Sequence, residues 1–155
     1  DAPELTGEAQ QMARHHVTQI CQHRSSQDAL SQDKAGQIFA LVSGGETVVS
    51  MDSTSAGLGG RSQELALAFA YQMRQADDAA PAHWAMLAGG TDGRDGPTDA
   101  AGGIVTSSQN FDLDAATAAL RQHDSYHFLA AQNSLVKTGA TGTNLADLVV
   151  IIWSW

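Results

Sequence analysis

The chain has 155 residues, of which 43% are hydrophobic, and its formal net charge is −9. This is the length of one ordinary domain, which buries roughly two thirds of the surface exposed in the unfolded chain. The acidic balance repels polyanions, so we expect no nucleic-acid partner. No apolar run reaches the roughly 18 residues that cross a bilayer, and no signal peptide pattern opens the sequence, so we expect no membrane segment.

The two ends and the single cysteine bear on the context of the chain. It starts at Asp1 and stops at Trp155 directly after an apolar run, which indicates a piece of a longer protein. Cys21 cannot form an internal disulfide, and its place among apolar helix positions predicts core packing rather than nucleophilic chemistry. A reducing cytoplasm fits this cysteine usage, and the oligomeric state is left open.

The first predicted element is a helix over residues 7–24, capped by Thr6. Apolar residues recur on one of its faces, which indicates that the helix docks on the rest of the domain: Ala9, Met12, Ala13, Val17, Ile20 and Cys21. Residues 25–36 are polar and aperiodic and are interpreted as a surface linker. Residues 37–155 then form the core of the domain, so that one domain covers residues 1–155.

The next elements are two β-rich runs, 38–42 and 48–51, joined through the glycines of 43–46 as a hairpin. A glycine-rich segment at 57–60 leads into a predicted helix over 61–75. The inner side of that helix carries Leu65, Ala68, Phe69, Gln72 and Met73.

A third strand at 84–87 runs into residues 88–99, which are too rich in Gly and Asp to hold regular structure. A short strand follows at 103–106, and Asp112 and Asp124 each cap a helix. The last strand, 148–153, is apolar on both faces and is expected in the middle of a sheet covered by helices on each side. The alternation of strands and helices predicts a three-layer α/β domain with a mixed, mostly parallel sheet.

Four segments place Gly beside polar residues at element ends: 43–46, 57–64, 89–99 and 138–144. Glycine lets backbone N–H groups approach a phosphate or carboxylate, and ligand crevices in open α/β sheets lie outside strand carboxyl ends. We therefore expect one crevice for a small anionic ligand. The candidate binding residues are Ser43, Gly44, Gly45, Glu46, Gly60, Thr91, Asp95, Asp99, Thr141, Gly142, Thr143 and Asn144.

Arg61 is the first candidate for a ligand contact. It opens a predicted helix whose free amides and dipole attract an anion, and its guanidinium adds a two-donor fork. On spacing alone, a surface ion pair between Arg61 and Glu64 is an equal alternative. The preceding glycines do not form a dinucleotide fingerprint, because Ser62 stands where a third Gly is required.

Asp92, Asp95 and Asp99 lie within one loop. Such carboxylates hold Mg²⁺, orient a substrate hydroxyl or accept its proton, although the spacing is not that of an EF-hand. Asp92 is a candidate catalytic residue beside Arg61, and Asp92 and Asp95 are the candidate Mg²⁺ ligands. The alternative is that these residues form Asx-turns that satisfy loop amides. The histidines have no acidic or Cys partner at metal spacing, so surface or core roles are favoured over metal ligation.

Five ordered motifs, taken together, point to a known family: residues 43–47 (SGGET), 59–65 (GGRSQEL), 90–93 (GTDG), 95–102 (DGPTDAAG) and 138–144 (TGATGTN). They resemble the C-terminal MOFRL domain of the glycerate 2-kinase family, which has also been labelled hydroxypyruvate reductase. The resemblance covers nearly the whole chain. The sequence departs from the family's usual residues at Ser62, His123 and Ala146, where the family has Asn, and at Ala140, where it has Pro.

The resemblance implies ATP-dependent phosphorylation of D-glycerate to 2-phosphoglycerate, with Mg²⁺, in a cleft between this domain and a larger N-terminal domain of the same parent chain. Arg61 matches the family's catalytically important arginine of this domain. A lysine of the N-terminal domain is expected to share charge neutralisation with it, so this chain alone should be inactive. Two alternatives remain at this stage: an NAD(P)H-dependent hydroxypyruvate reductase and a non-catalytic small-anion-binding module.

Overall fold

The computed structural model describes residues 4–28, 37–51 and 57–155. These ranges hold four α-helices and five strands, with a short 3₁₀ turn at Asp77–Ala79. In chain order the elements are α1 (Ala9–Asp28), β1 (Ile38–Gly45), α2 (Arg61–Gln75), β2 (His83–Gly90), β3 (Gly102–Thr106), α3 (Leu113–Gln122), α4 (Ser125–Ala131), β4 (Leu135–Val136) and β5 (Asp147–Ser154).

The strands form one sheet in the order β1-β5-β2-β3-β4, and every neighbouring pair is antiparallel. The prediction of a mostly parallel sheet is therefore wrong, although the α/β class is confirmed. Parallel neighbours were expected because helices alternate with strands along the chain. In the structure, β5 returns from the end of the chain and inserts between β1 and β2, so these two parallel strands never pair with each other.

The two faces of this sheet differ in burial. Val149 and Ile151 are completely buried, whereas Ile152, the next residue of β5, is 45% exposed. The same alternation runs through β2 and β3, and in the described residues the helices pack on the buried face. This part of the chain has two layers rather than the predicted three. Apolar residues of β5 lie on both faces of the sheet, but the described helices pack on only one of them.

The core lies between the sheet and the helices α1 and α2, which together supply most of its side chains. Most side chains predicted on the inner faces of both helices are buried, as are the inward side chains of β2 and β5, whereas Cys21 and Gln72 are only partly buried. Phe69 of α2 meets Trp84 of β2 edge to face, with ring centroids 5.5 Å apart. Cys21 of α1 is partly buried and packs against this cluster, as expected of core packing.

Several local predictions match the structure. Helix α2 has the predicted bounds, β2, β3 and β5 contain the predicted strands, and helices begin after Asp112 and Asp124. The Asp112 side chain accepts a hydrogen bond of 2.8 Å from the backbone N–H of Ala115, as an N-cap should. Asp124 makes no such bond to α4 and instead accepts one of 2.9 Å from the N–H of Leu58.

Two other local predictions are wrong. There is no hairpin at 38–51: β1 pairs with β5, and Val48 forms only an isolated bridge with Glu8. The first helix runs over Ala9–Asp28 rather than 7–24, so residues 25–28 are helical and not linker. The rest of the predicted linker, 29–36, lies outside the described residues. The hairpin prediction failed because local β propensity does not determine which strand is the partner: β1 pairs with the distant β5 rather than with residues 48–51.

Candidate functional site

The glycine-rich segments meet at one end of the sheet. Because β1 and β2 are both antiparallel to β5, their carboxyl ends lie beside the amino end of β5. In register, Asp147 lies between Gly45 and Gly90. The alternation of β5 turns Asp147 toward the buried, helix-covered face, where α2 begins with Arg61.

Arg61 is held by two carboxylates at this end of the sheet. Its Nε donates to Asp147 Oδ2 at 2.6 Å and its Nη2 donates to Asp147 Oδ1 at 3.0 Å. Its Nη1 donates to Glu46. The hydrogen bonds that Arg61 donates to Asp147 are the main reason why the pKa of Arg61 is raised, so the guanidinium is always charged.

The two carboxylates differ in burial. The Asp147 side chain is 6% exposed and the Glu46 side chain 59%, while that of Arg61 is 34% exposed. The two-point Asp147 contact is thus sheltered, whereas Glu46 lies in solvent. A buried carboxylate needs its countercharge, but a solvated one gains little from it.

Glu64 has other partners, so the alternative pairing of Arg61 with Glu64 is wrong. The Glu64 carboxylate is buried against His123, whose Nδ1 lies 2.8 Å from Glu64 Oε1, and Gln10 donates to the same oxygen at 2.7 Å. This arrangement links α1, α2 and the turn after α3. Glu64 therefore connects elements of the helix layer, whereas Arg61 is bonded to carboxylates at the end of the sheet.

Asp95 occupies the amides at the start of α2. Its carboxylate accepts hydrogen bonds from the N–H of Ser62 at 3.1 Å and of Gln63 at 2.8 Å. Burial raises the pKa of Asp95, and the amide hydrogen bonds act against that rise. The expectation that these amides are free for a ligand is wrong at Ser62 and Gln63, because the chain supplies its own anion to the helix.

Residues 91–93 and 138–146 are joined by several hydrogen bonds. The Thr91 hydroxyl donates to the carbonyl of Ala146 at 2.8 Å, and the N–H of Thr141 donates to the carbonyl of Asp92 at 3.2 Å. Gly93 has a φ of +87° and packs against the backbone of Gly139 so closely that a Cβ would overlap it. These contacts place both segments beside Asp147.

Two of the candidates in these segments make local turns. Asp92 accepts a hydrogen bond of 2.9 Å from the N–H of Arg94, which is the Asx-turn named as the alternative to a catalytic role. Asn144 accepts one of 3.3 Å from the N–H of Ala146. Residues 141–144 are exposed at the rim, although the Thr141 hydroxyl donates to the carbonyl of Thr91 at 2.5 Å.

Asp99 forms a separate cluster. It accepts from Lys137 Nζ at 2.8 Å and from the Tyr126 hydroxyl at 2.7 Å. Lys137 lowers the pKa of Asp99, and all of this takes place on the exposed surface beside α4. In the described part of the chain, none of these three residues contacts Arg61, Asp147 or Glu46, so Asp99 stands apart from the other candidates.

The arrangement sorts the predicted site residues by place. Those at the sheet end around Arg61 are Ser43, Gly44, Gly45, Glu46, Gly60, Thr91, Asp92, Thr141, Gly142, Thr143 and Asn144, whereas Asp95 lies beneath the helix start and Asp99 lies in the surface cluster. No three His, Cys, Asp or Glu side chains within the described ranges are grouped so as to hold a metal ion. The helices of those ranges also lack the length and hydropathy needed to span a bilayer.

Asp147 is the contact that sequence analysis missed. It directly precedes the apolar run 148–153, and no role was predicted for it from the sequence. The available signal was its position at the start of a strand whose neighbours are all apolar, where a buried carboxylate requires a cation. Its partner could not be identified from the sequence, since Arg61 lies 86 positions away.

Comparison with known proteins gives consistent results. The model of the MOFRL family matches residues 39–147. D-glycerate 2-kinase of Thermotoga maritima is 44% identical over 115 residues, covering 72% of this chain and 26% of that protein. An Agrobacterium vitis protein provisionally named a hydroxypyruvate reductase is 39% identical over 116 residues, covering 72% of this chain and 25% of its own length.

The fold is shared with a solved structure. The crystal structure of a glycerate kinase from Thermotoga maritima superposes with a TM-score of 0.77 at 36% identity, covering 98% of this chain and 35% of that chain. The chain thus spans about a quarter of the length of these curated relatives and about a third of the solved chain.

Proposed function

Because the chain belongs to the MOFRL family, we propose that it supplies one wall of a glycerate 2-kinase active site, in which ATP phosphorylates D-glycerate to 2-phosphoglycerate. A larger N-terminal domain of the same parent protein would supply the other wall. The observation that carries this proposal is the Arg61 guanidinium, which is fixed on one edge by buried Asp147 and reaches solvent at the glycine-rich end of the sheet.

In this proposal, Arg61 binds an oxyanion of the substrate or of the transferring phosphoryl group. Phosphoryl transfer depends mainly on positioning and on neutralising charge spread over several oxygens, and a planar two-donor group suits such oxygens. Thr143, exposed at the same end, would add a hydroxyl donor, whereas the hydroxyl of Thr141 is already donated to the carbonyl of Thr91. Asp92, proposed as the second catalytic residue, is partly exposed and adjoins them, with one oxygen used by its own turn.

The fit to Mg²⁺ is poor for the described residues alone. They contain no cluster of three ligating side chains, and Asp95, one of the two predicted ligands, uses its carboxylate to cap α2. We therefore assign no step of the reaction to a metal held by this chain. Mg²⁺ and ATP would be held largely by the N-terminal domain of the parent protein, and ATP would supply the phosphoryl group.

A reductase is less well supported, although one relative carries that provisional name. Dinucleotide sites usually hold the pyrophosphate on free amides at a helix start. The first-turn amides of α2 at Ser62 and Gln63 are already bonded to Asp95. A pyrophosphate at this place would have to displace a buried carboxylate, so we favour the kinase.

The test is a pair of assays on the longer protein that contains this chain. ADP release with D-glycerate and ATP should be fast, and NADH oxidation with hydroxypyruvate should be absent. NADH oxidation without ADP release would overturn the kinase proposal. Phosphorylation by the 155-residue chain alone, or glycerate binding tighter than millimolar by calorimetry, would show that this chain holds a complete site.

A non-catalytic anion-binding module is the remaining alternative, and the same experiment separates it. Such a module would bind glycerate or phosphate in the longer protein without releasing ADP. The kinase proposal requires both turnover and its loss when Arg61 is changed.

A further inference from the structure

The contacts of Arg61 divide its guanidinium into two parts. The edge formed by Nε and Nη2 is bonded to both oxygens of Asp147, at 2.6 and 3.0 Å. Among the residues that the structure describes, Nη1, on the opposite side, is bonded to Glu46 alone, whose side chain is 59% exposed. One part is therefore sheltered and doubly bonded, and the other ends in solvent.

We propose that Asp147 is the positioning residue of Arg61, and that Glu46 is a displaceable occupant of the place where a carboxylate or phosphate oxyanion binds Nη1. This inference rests on the proposed kinase function for its substrate, but its geometry does not depend on that function. A guanidinium has five N–H groups, and a two-point contact on one edge leaves the opposite N–H groups free to meet a second anion.

The fold explains why Asp147 can hold Arg61 firmly. Asp147 begins β5, and its backbone is paired on one side with Gly45 and on the other with Gly90. Because β5 is flanked by strands on both sides, this residue cannot shift without breaking two ladders. Its partner stands at the first turn of α2, whose next amides are fixed by Asp95. Both ends of the contact are thus anchored by regular structure.

Glu46 is held less firmly: its backbone N–H donates to the carbonyl of Leu5 at 2.9 Å, but within the described residues its side chain is bonded to Arg61 alone. It follows the end of β1, and its carboxylate lies on the surface, where its attraction to Arg61 is weakened by water and salt. An oxyanion with two or three acceptor oxygens can replace it on Nη1 without uncovering a buried charge. Displacing Asp147 would leave its carboxylate buried without a cation, which is far more costly. A ligand would therefore replace Glu46 and leave Asp147 in place.

The first experiment needs no enzymatic activity. In the 155-residue chain, the Arg61 Nε–H should exchange with solvent at least 10-fold more slowly than that of Arg121, an exposed arginine of α3, because only the former is donated to a buried carboxylate. In Asp147→Asn the slow exchange of Arg61 should be lost, while Asp114→Asn, an exposed neutralisation on α3, should keep it. Equal exchange of Arg61 and Arg121 in the wild-type chain would overturn the positioning role.

The second experiment uses the longer protein and a double-mutant cycle. Asp147→Asn and Arg61→Lys should each lower kcat/KM by about 30-fold or more, and the double variant should be within about 3-fold of Arg61→Lys alone, since Asp147 acts through Arg61. Losses that multiply would show that Asp147 acts on its own and would overturn the proposal. If Asp147→Asn does not fold, the exchange measurement on the wild-type chain still decides.

Glu46→Gln identifies the displaced ligand. If glycerate takes the place of Glu46, this variant should lower the KM for glycerate by about 3- to 10-fold and leave the KM for ATP unchanged. If a phosphate of the nucleotide takes the place of Glu46, the KM for ATP should fall by about the same factor and the KM for glycerate should stay unchanged. A rise in both constants would mean that Glu46 helps to bind the ligand and would overturn the displacement. Complete absence of ADP release in the wild-type protein would count against the proposed function, whereas the exchange result would stand independently.

Discussion

The start of α2 and the Lys137 cluster both bring a cation to an aspartate, yet they differ in what surrounds the carboxylate. Asp147 is 6% exposed and binds Arg61 at two points, whereas Asp99 is 64% exposed and binds Lys137 at one. A carboxylate shielded from water fixes its cation, since the unpaired state is costly. A solvated one holds its cation only loosely. Both pairs join an aspartate to a cation, but their burial distinguishes the fixed arginine from the surface pair.

The largest effect should come from Arg61→Lys in the longer protein. An ammonium keeps the charge but cannot reproduce a planar fork that bonds Asp147 and an oxyanion at once. We expect a loss of about 30- to 1,000-fold in kcat/KM, equivalent to roughly 2–4 kcal/mol in the transition state. Steady-state kinetics measure this loss, with Arg121→Lys as the control. Unchanged kinetics for Arg61→Lys would mean that Arg61, like Lys137, forms only a surface ion pair without a role in activity.

Asp95→Asn should reduce stability rather than only activity. The amide would present its NH₂ group to one of the two backbone N–H donors of Ser62 and Gln63, leaving that donor unsatisfied at a buried helix start. We expect the free energy of unfolding of the 155-residue chain to fall by roughly 1–3 kcal/mol. Urea denaturation checks this against Asp114→Asn, and an equal small loss in both variants would remove the role of Asp95 in capping.

The next prediction concerns His16, whose pKa is governed mainly by burial rather than by an opposite charge. Burial, together with neighbouring His15, lowers the pKa of His16 to about 4 from 6.5. The folded state therefore favours neutral His16, and its contribution is fully present above pH 6.5 and is lost as the pH falls toward 4. Full loss corresponds to roughly 3 kcal/mol.

The measurement is the difference in unfolding free energy between pH 7 and pH 4.5, compared between the wild-type chain and His16→Leu. Carboxylates titrate in both proteins, so only the difference between them reports on His16. The wild-type chain should lose about 1–3 kcal/mol more than the variant. Equal losses would show that His16 is protonated without cost in the folded chain.

Ala146→Asn should raise stability slightly. Ala146, directly before Asp147, has a φ of +69°, which is a left-handed backbone conformation. The left-handed region costs an alanine roughly 1–2 kcal/mol, and Asn tolerates it better. We expect a gain of about 0.5–1 kcal/mol in thermal or urea unfolding, with Ala115→Asn, on exposed α3, losing stability instead. A loss in Ala146→Asn would mean that side-chain packing outweighs backbone strain there.

The smallest effect should come from Lys137→Met. The Lys137–Asp99 pair is exposed, so we expect its removal to leave the urea midpoint of unfolding essentially unchanged. The activity of the longer protein should stay within about 2-fold of wild type. A loss of activity comparable to that of Arg61→Lys would place Asp99 and Lys137 in the site and end the contrast between the two regions.

The sequence by itself determined much of the local structure and identified the glycine-rich loops that the fold brings to one end of the sheet. The period of 3.6 in α2 and the apolar runs of β2 and β5 identified these elements, because side-chain burial imposes their spacing directly. Clustered glycines and Asp residues located the loops, and the ordered motifs identified the family that the comparisons confirm. Arg61 was recognised because an arginine at a glycine-rich helix start combines a charge with an exposed position.

Only the tertiary structure decided strand order, the open face of the sheet and the partners of Arg61. Antiparallel pairing of β1 with β5 joins residues more than a hundred positions apart, and no local propensity distinguishes it from a hairpin. The anion on the α2 amides is Asp95 and the anchor of Arg61 is Asp147, and each is brought there by the fold from a different segment. Spacing along a chain reports faces of single elements, whereas the pairing of charges depends on which elements meet.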